Sequence, residues 1–278
     1  MLEPRRLAAS NAATYMATQL GEKVGQTVGY SIRYQRKVSA ATRIEVVTEG
    51  ILTRRLQNDP ELEGVGLVIF DEFHERHLQS DLALALCRDI QDSLRDDLKI
   101  LIMSATLDTS PLAEQLQAPL LTSEGRSYPV TTHYLPSKPH QSIVVATLAA
   151  IERALTETAG DLLVFLPGEA EIRCCHEELS NLSSLLICPL YGNMPFSEQE
   201  RAIRPAKQRK IVLATNIAET SLTIDGISVV IDSGYSRQPR FDAGSGLTRL
   251  QLGRISQASA TQRSGRAGRL GPGDCYRL

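Results

Sequence analysis

Leu67-Val68-Ile69-Phe70-Asp71-Glu72-Phe73-His74 is the stretch on which the fold turns. Four apolar residues in a row are too short for a helix and suit a strand buried on both faces, as in a parallel sheet. Two acids follow at once, beyond the strand's carboxyl end, where open α/β sheets bind their ligands. This placement answers the needs of phosphoryl transfer: Asp71 would hold Mg²⁺ through water, and Glu72 would orient and deprotonate the attacking water. His74 and Glu75 would stand at the back of that site. The same eight residues also read as a strand that merely ends in an acidic turn.

Similar apolar runs recur on both sides: Ile100–Met103, Leu162–Leu166, Ile211–Ala214 and Val229–Ile231. Between them, residues 79–95 and 141–158 space their apolar side chains near 3.6, and the Ala-rich stretch 7–20 stops before Gly21, a helix C-cap. Strand and helix in alternation predict an α/β fold. Pro129, Pro136 and Pro139 interrupt the pattern, and the sheet signal restarts at Asp161. A junction near residues 125–140 is expected, dividing the chain into domains 1–126 and 127–278. A length of 278 residues accommodates two domains of ordinary size.

The composition excludes several classes. No apolar run approaches the ~20 residues that cross a bilayer, and Arg5 and Arg6 break any signal peptide; a cytoplasmic monomer without membrane attachment is expected. Five cysteines, an odd number without CxxC spacing, argue against a disulfide frame or a zinc site. Cys174, Cys175 and His176 are adjacent, but on a helix consecutive residues point apart. The net charge of -2 conceals an uneven distribution. Residues 1–57 hold 9 Lys/Arg against 4 Asp/Glu, residues 237–278 hold 8 against 2, and the middle is acidic. Two basic ends are what a groove tracking phosphates would use, and equally what ordinary solvated faces look like.

Three further motifs carry chemistry. Ser104-Ala105-Thr106 directly follows the run Ile100–Met103, where small hydroxyl residues can hydrogen-bond to Asp71 or His74; alone, such residues are ordinary helix caps. Thr215-Asn216 opens a hydroxyl- and amide-rich segment after the run Ile211–Ala214, suited to a nucleic-acid backbone, and Asp225 near its end could face a nucleotide. Gln262-Arg263-Ser264-Gly265-Arg266-Ala267-Gly268-Arg269 is rich in Arg and Gly. Arg266 and Arg269, three apart, would sit on one helical face as arginine fingers to a γ-phosphate, with Gln262 positioning water. A basic surface turn or an RNA-contacting Arg/Gly stretch is the plainer reading.

Asp-Glu-Phe-His, Ser-Ala-Thr, Thr-Asn-Ile-Ala-Glu-Thr-Ser-Leu-Thr-Ile-Asp-Gly and Gln-Arg-Ser-Gly-Arg-Ala-Gly-Arg stand in that order along the chain. Together they resemble the DEAH-box branch of the superfamily 2 helicases. Phe in the third place of the acidic motif and Leu-Glu-Pro-Arg-Arg-Leu-Ala-Ala resemble its bacterial HrpB-type members. Pro4-Arg5-Arg6 looks like motif Ia and Thr48-Glu49-Gly50 like motif Ib. The resemblance implies two RecA-like parallel-sheet lobes, with ATP and Mg²⁺ at their interface. It implies ATP hydrolysis coupled to translocation along single-stranded RNA and to unwinding of structured RNA. Arg5, Arg6 and Thr48 would touch the RNA backbone from the first lobe, and Thr215 and Asn216 from the second. Asp225 and His74 would serve the nucleotide, Ser104 and Thr106 the coupling between motifs, and a β-hairpin over Tyr235–Arg254 the parting of strands.

One departure matters. No GxxxxGK[ST] loop occurs in the sequence. That loop normally cradles the β- and γ-phosphates. The first lobe is therefore expected to be incomplete at its N-terminus, and the chain to be a fragment that is inactive alone. An ATPase-dead RNA-binding module and a DNA-directed helicase are the alternatives.

Overall fold

The computed structural model describes residues 1–105, 110–123, 125, 128–136, 141–219, 222 and 224–278. The chain divides into two compact units, Met1–Ser123 and Glu124–Leu278.

The first unit is a six-stranded sheet built from β1 (Leu2–Glu3), β2 (Val28–Ile32), β3 (Gln35–Lys37), β4 (Ile44–Thr48), β5 (Leu67–Phe70) and β6 (Lys99–Ile102). The strand order is β3-β2-β4-β1-β5-β6, parallel except for the β2–β3 hairpin. Val46 and Val47, consecutive on β4, face opposite sides of the sheet and join different cores. On one side, α1 (Arg6–Gln19) lays Ala9, Ala13 and Ala17 against Val28, Tyr30 and Val46, small side chains permitting a close approach. The helix closes as the Gly21 pattern predicts. Gly21, at φ +70°, lets its own N–H reach the Thr18 carbonyl and the Glu22 N–H reach that of Ala17, capping two orphan carbonyls. On the other side, α2 (Glu49–Asn58) and α3 (Leu78–Ser93) cover Leu2, Val68 and Phe70. The expectation of strands buried on both faces fails here for the outer pair. Leu67 is 45% and Leu101 40% exposed, because β6 is the sheet edge and α1, on that face, packs over β2 and β4 instead.

In the second unit the same expectation holds. Strands β7 (Val130–Tyr134), β8 (Asp161–Phe165), β9 (Leu186–Leu190), β10 (Lys210–Ala214), β11 (Ile227–Asp232) and β14 (Gly273–Arg277) form an all-parallel sheet, ordered β7-β14-β11-β8-β10-β9. Every residue of β10 is buried. After α4 (Ser110–Leu116) of the first unit come α5 (Ile143–Glu157) and α6 (Glu169–Leu179), which cover one face around Leu162, Val164, Ile211 and Ile231, and α7 (Phe196–Ile203), which follows β9. Phe165, which turns to the other face, lies under the guanidinium of Arg263 in α8 (Gln257–Gly265), 4.8 Å from its ring centre. A separate antiparallel hairpin, β12 (Tyr235–Asp242) and β13 (Leu247–Arg254), pairs from Tyr235↔Arg254 to Asp242↔Leu247. Its turn is closed by the Asp242 carboxylate, which accepts from the Gly244 N–H and the Ser245 hydroxyl.

Candidate active site and nucleic-acid interface

Asp71 and Glu72 leave β5 on a strained turn. Glu72 takes φ +50°, ψ +34°, and Arg76, four residues on, φ +50°, ψ +51°. Left-handed backbone at non-glycine residues costs of order 1 kcal/mol or more each and clusters at functional sites. Hydrogen bonds on three sides hold the turn: the Asp71 N–H donates to the Leu2 carbonyl (3.0 Å), the Phe73 N–H to that of Met103 (3.1 Å), and the Glu72 N–H to the Asp71 carboxylate (2.8 Å). Phe73 is the anchor, buried edge-on against Phe70 with ring centres 6.1 Å apart.

His74 connects this turn to the Ser104-Ala105 segment. Its Nδ1 accepts the Ala105 N–H at 3.3 Å, which leaves the ring proton on Nε2, 3.5 Å from Glu72 Oε2. The expected contact between the two motifs thus runs through a main-chain amide of Ala105. Ser104 is half-buried beside it, and Thr106 lies outside the described residues.

Glu3 was not a candidate from sequence. It ends β1, the strand between β4 and β5, and is buried at 3% exposure beside Asp71. Burial, then a hydrogen bond with Asp71, pushes its carboxyl up to about 9. Glu3 is therefore neutral near pH 7 and donates to Asp71, while its Oε2 is buried without a hydrogen-bond partner. Hard carboxyl oxygens at strand ends fit Mg²⁺, which takes one or two carboxylates and completes its shell with water and phosphate. Among the described residues no group of three or more His, Cys, Asp or Glu side chains is placed to hold a metal ion. The raised pKa has a signed consequence. Folded Glu3 keeps a proton that the unfolded chain releases above about 4.5, so stability falls as pH rises from there to about 9. Glu3→Gln is expected to flatten that decline and to raise Tm by a few degrees at pH 8 without Mg²⁺, as read by thermal melts across pH.

Elsewhere in the first unit, Arg5 caps α1 and pairs with Glu75 at 3.1 Å, Arg6 is exposed, and Thr48 precedes α2 without capping it through its side chain. A basic and aromatic patch lies at the β2–β3 turn. Tyr34, at φ +69°, is 82% exposed with the Arg33 guanidinium 4.8 Å from its ring centre, and Lys37 Nζ lies 5.9 Å from the Tyr30 ring. A cavity of about 520 Å³ opens beside it, lined by Tyr34, Arg36, Glu45 and Arg55. From sequence, residues 1–57 were legible only as basic as a whole; neither these side chains nor the exposed, strained tyrosine was singled out.

In the second unit, Thr215 follows β10, and the exposed Asn216 begins a 3₁₀ turn, Asn216–Ala218. Asp225 is exposed just before Gly226, whose φ is +87°. The arginine-rich segment differs from expectation. Helix α8 ends at Gly265 and Arg266–Gly268 is a 3₁₀ turn, and the two arginines expected to act as a pair differ in burial. Arg266, 6% exposed, donates to the main-chain carbonyls of Glu219 and Leu222, whereas Arg269 is exposed and Gln262 half-buried. The chain packs closely at Gly268, where a Cβ would meet the Tyr128 carbonyl oxygen at 2.5 Å. Arg263, unassigned by the sequence reading, is fully buried. It pairs with Asp232 at 2.8 Å and Glu219 at 2.9 Å, and Glu219 also accepts the Ser259 hydroxyl. Arg263 thus ties the Thr215–Glu219 segment to the arginine-rich one.

These sites are matched by known families. The DEAD/DEAH box helicase model matches residues 5–114, and the helicase conserved C-terminal domain model matches residues 143–271. The chain belongs to the DEAD/DEAH box helicases. It is 58% identical over 278 residues to the ATP-dependent RNA helicase HrpB of Escherichia coli strain K12, covering 98% of this chain and 34% of that protein. It is 42% identical over 285 residues to the ATP-dependent RNA helicase HrpA of Borreliella burgdorferi, and 42% over 287 residues to the splicing factor prp22 of Schizosaccharomyces pombe, an ATP-dependent RNA helicase. A crystal structure of the E. coli DEAH/RHA helicase HrpB superposes with a TM-score of 0.93 at 57% identity, covering all of this chain and 36% of that one. A second, of the E. coli DExH-box NTPase HrpB, gives 0.84. The two parallel sheets are thus RecA-like helicase lobes. The chain spans 24% to 34% of the length of these curated relatives. Among the described residues no helix is long and apolar enough to cross a membrane.

Proposed function

We propose that this chain is the two-lobed motor of an ATP-dependent RNA helicase that moves along single-stranded RNA and unwinds duplex. The observation that carries the reading is the strained Asp71-Glu72 turn, locked through His74 to the Ala105 amide. A helicase needs its hydrolytic acids mechanically joined to a neighbouring motif, so that hydrolysis changes the grip on nucleic acid. Asp71 would hold Mg²⁺, which would supply positive charge against the phosphates. Glu72 orients the attacking water and takes its proton, with His74 limiting the rotation of its carboxylate. Gln262 helps to place that water. Arg269 is offered to phosphate as a finger, and Arg266 takes the same role on exchanging its main-chain partners. Asp225 faces the nucleotide, and Ser104 and Thr106 relay its state.

On the RNA side, Arg5, Arg6 and Thr48 contact the backbone from the first lobe, and Thr215 and Asn216 from the second. The Arg33–Tyr34 turn supports this reading, since an exposed aromatic face next to a guanidinium suits a stacked base and its phosphate. The Tyr235–Arg254 hairpin helps to part strands. The protein works as a cytoplasmic monomer. The 278 residues contain no GxxxxGK[ST] loop, so this chain by itself turns over no ATP. ATP hydrolysis by the chain, with and without single-stranded RNA, tests both points against a Glu72→Gln control. No turnover above that control together with RNA binding is expected; RNA-stimulated turnover abolished by Glu72→Gln would show that phosphate is gripped elsewhere. Competition with 2′-deoxy strands separates RNA from DNA as the substrate.

A further inference from the structure

Behind the acidic turn of the first unit runs a chain of ion pairs that the hydrolytic roles leave unused. The left-handed backbone at Arg76 swings His77 out ahead of α3 and places its imidazole between two carboxylates from different elements. Nδ1 is 2.9 Å from Glu49 Oε1, and Nε2 is 3.1 Å from Glu75 Oε2. An imidazole with acceptors on both nitrogens satisfies both only as an imidazolium, with a proton on each. Hydrogen bonds to Glu49 and then Glu75 push it up to about 9, so the ring is a standing cation near pH 7.

Each carboxylate has a second partner. Glu75 Oε2 also takes the Arg5 guanidinium at 3.1 Å, and Glu49 Oε1 also accepts the Ser80 hydroxyl at 2.7 Å. The line Arg5–Glu75–His77–Glu49 therefore fastens the start of α1, the turn after the catalytic acids and the first residue of α2 at one point. Isolated surface ion pairs contribute little. This one is a network with shared atoms, and its carboxylates are only 11% and 15% exposed. Without the cation, Glu49 and Glu75 would face each other as like charges, and the Glu75 side chain that holds Arg5 would lose its second tether.

We propose that His77 is a positioning residue for nucleic-acid grip, a strap that holds Arg5, through Glu75, in place on the RNA track with Glu49 at the head of α2 as its fixed end. The inference rests on the reading of Arg5 as an RNA contact. It makes that contact depend on a side chain placed only six residues after Asp71 in the sequence, so that movement of the hydrolytic turn changes the grip directly.

The test is the Kd of this chain for a fluorescein-labelled oligouridylate at pH 7.5, by anisotropy, with thermal melts confirming that each variant folds. Arg5→Ala is expected to weaken binding and to lower the salt dependence by about one phosphate contact. His77→Ala and the neutral, similar-sized His77→Gln are expected to weaken it about five- to tenfold, and His77→Arg, which restores a cation between the carboxylates, to return it to within about twofold. In an Arg5→Ala background the His77→Ala effect is expected to shrink below about twofold, because the two act in series. A full-sized effect in that background, or a Kd unmoved by His77→Ala while Arg5→Ala weakens binding, overturns the strap. A Kd unmoved by Arg5→Ala removes the RNA-contact reading itself, and the strap with it.

Discussion

Glu72→Gln is expected to lower RNA-stimulated ATP hydrolysis by about 10²- to 10⁴-fold in the natural protein that carries these residues, with RNA affinity within about twofold of wild type. Glutamine keeps the size of the side chain and can still orient a water, but it cannot accept the water's proton. The turn itself does not depend on the carboxylate: it is held by the Asp71, Glu72 and Phe73 amides and by the burial of Phe73. The loss should therefore fall on kcat, with KM for ATP and the melting temperature nearly unchanged. Steady-state kinetics at saturating RNA, beside a thermal melt, decide it. A loss below tenfold would move the base elsewhere, and an equally large fall in Tm would make Glu72 a structural residue.

Arg263→Leu is expected to be the most destabilising single change in the second unit, by about 3–5 kcal/mol, because it takes from two carboxylates the buried guanidinium they share. Asp232 is fully buried and would keep the Gly234 N–H and, at 3.9 Å, the Arg277 guanidinium, while Glu219 would keep the Ser259 hydroxyl. Loss of the guanidinium also uncovers the Phe165 ring beneath it. At roughly 2–4 °C per kcal/mol for a unit of this size, the melting transition should fall by about 10 °C. Arg263→Lys should recover little, since one ammonium cannot bridge Asp232, Glu219 and the Tyr235 carbonyl together. Adding Asp232→Asn to Arg263→Leu should restore part of the loss by removing the stranded charge, and additivity of the two changes would show that they do not interact.

Much of the site was legible from local chemistry. The acids after the Leu67–Phe70 run lie at a strand end as expected, and Thr215-Asn216 follows β10 in the same way. The Tyr235–Arg254 hairpin spans the residues the helicase resemblance implied. The arginines of residues 262–269 were legible as a group but not individually. Spacing alone treats Arg263, Arg266 and Arg269 alike, while the fold buries the first, binds the second to carbonyls and exposes the third. The partners that separate them, Asp232, Glu219 and Leu222, lie more than 30 residues away in the chain.

The sequence by itself determined the α/β class, the order of the motifs and the acids at the end of β5. Each of these is written in side-chain periodicity or in a short run of neighbours, and such signals survive without knowledge of what packs where. Strand order decided the rest. With β1 inserted between β4 and β5, Glu3 comes to rest beside Asp71, and the Leu2 carbonyl receives the Asp71 amide. The same order brings Glu49, after β4, to the loop after β5, where His77 bridges it to Glu75. Burial then set the charges, keeping Glu3 neutral and obliging Arg263 to take two carboxylates. These are properties of groups far apart in the chain but adjacent in a low-dielectric interior, and only the folded sheet places them there.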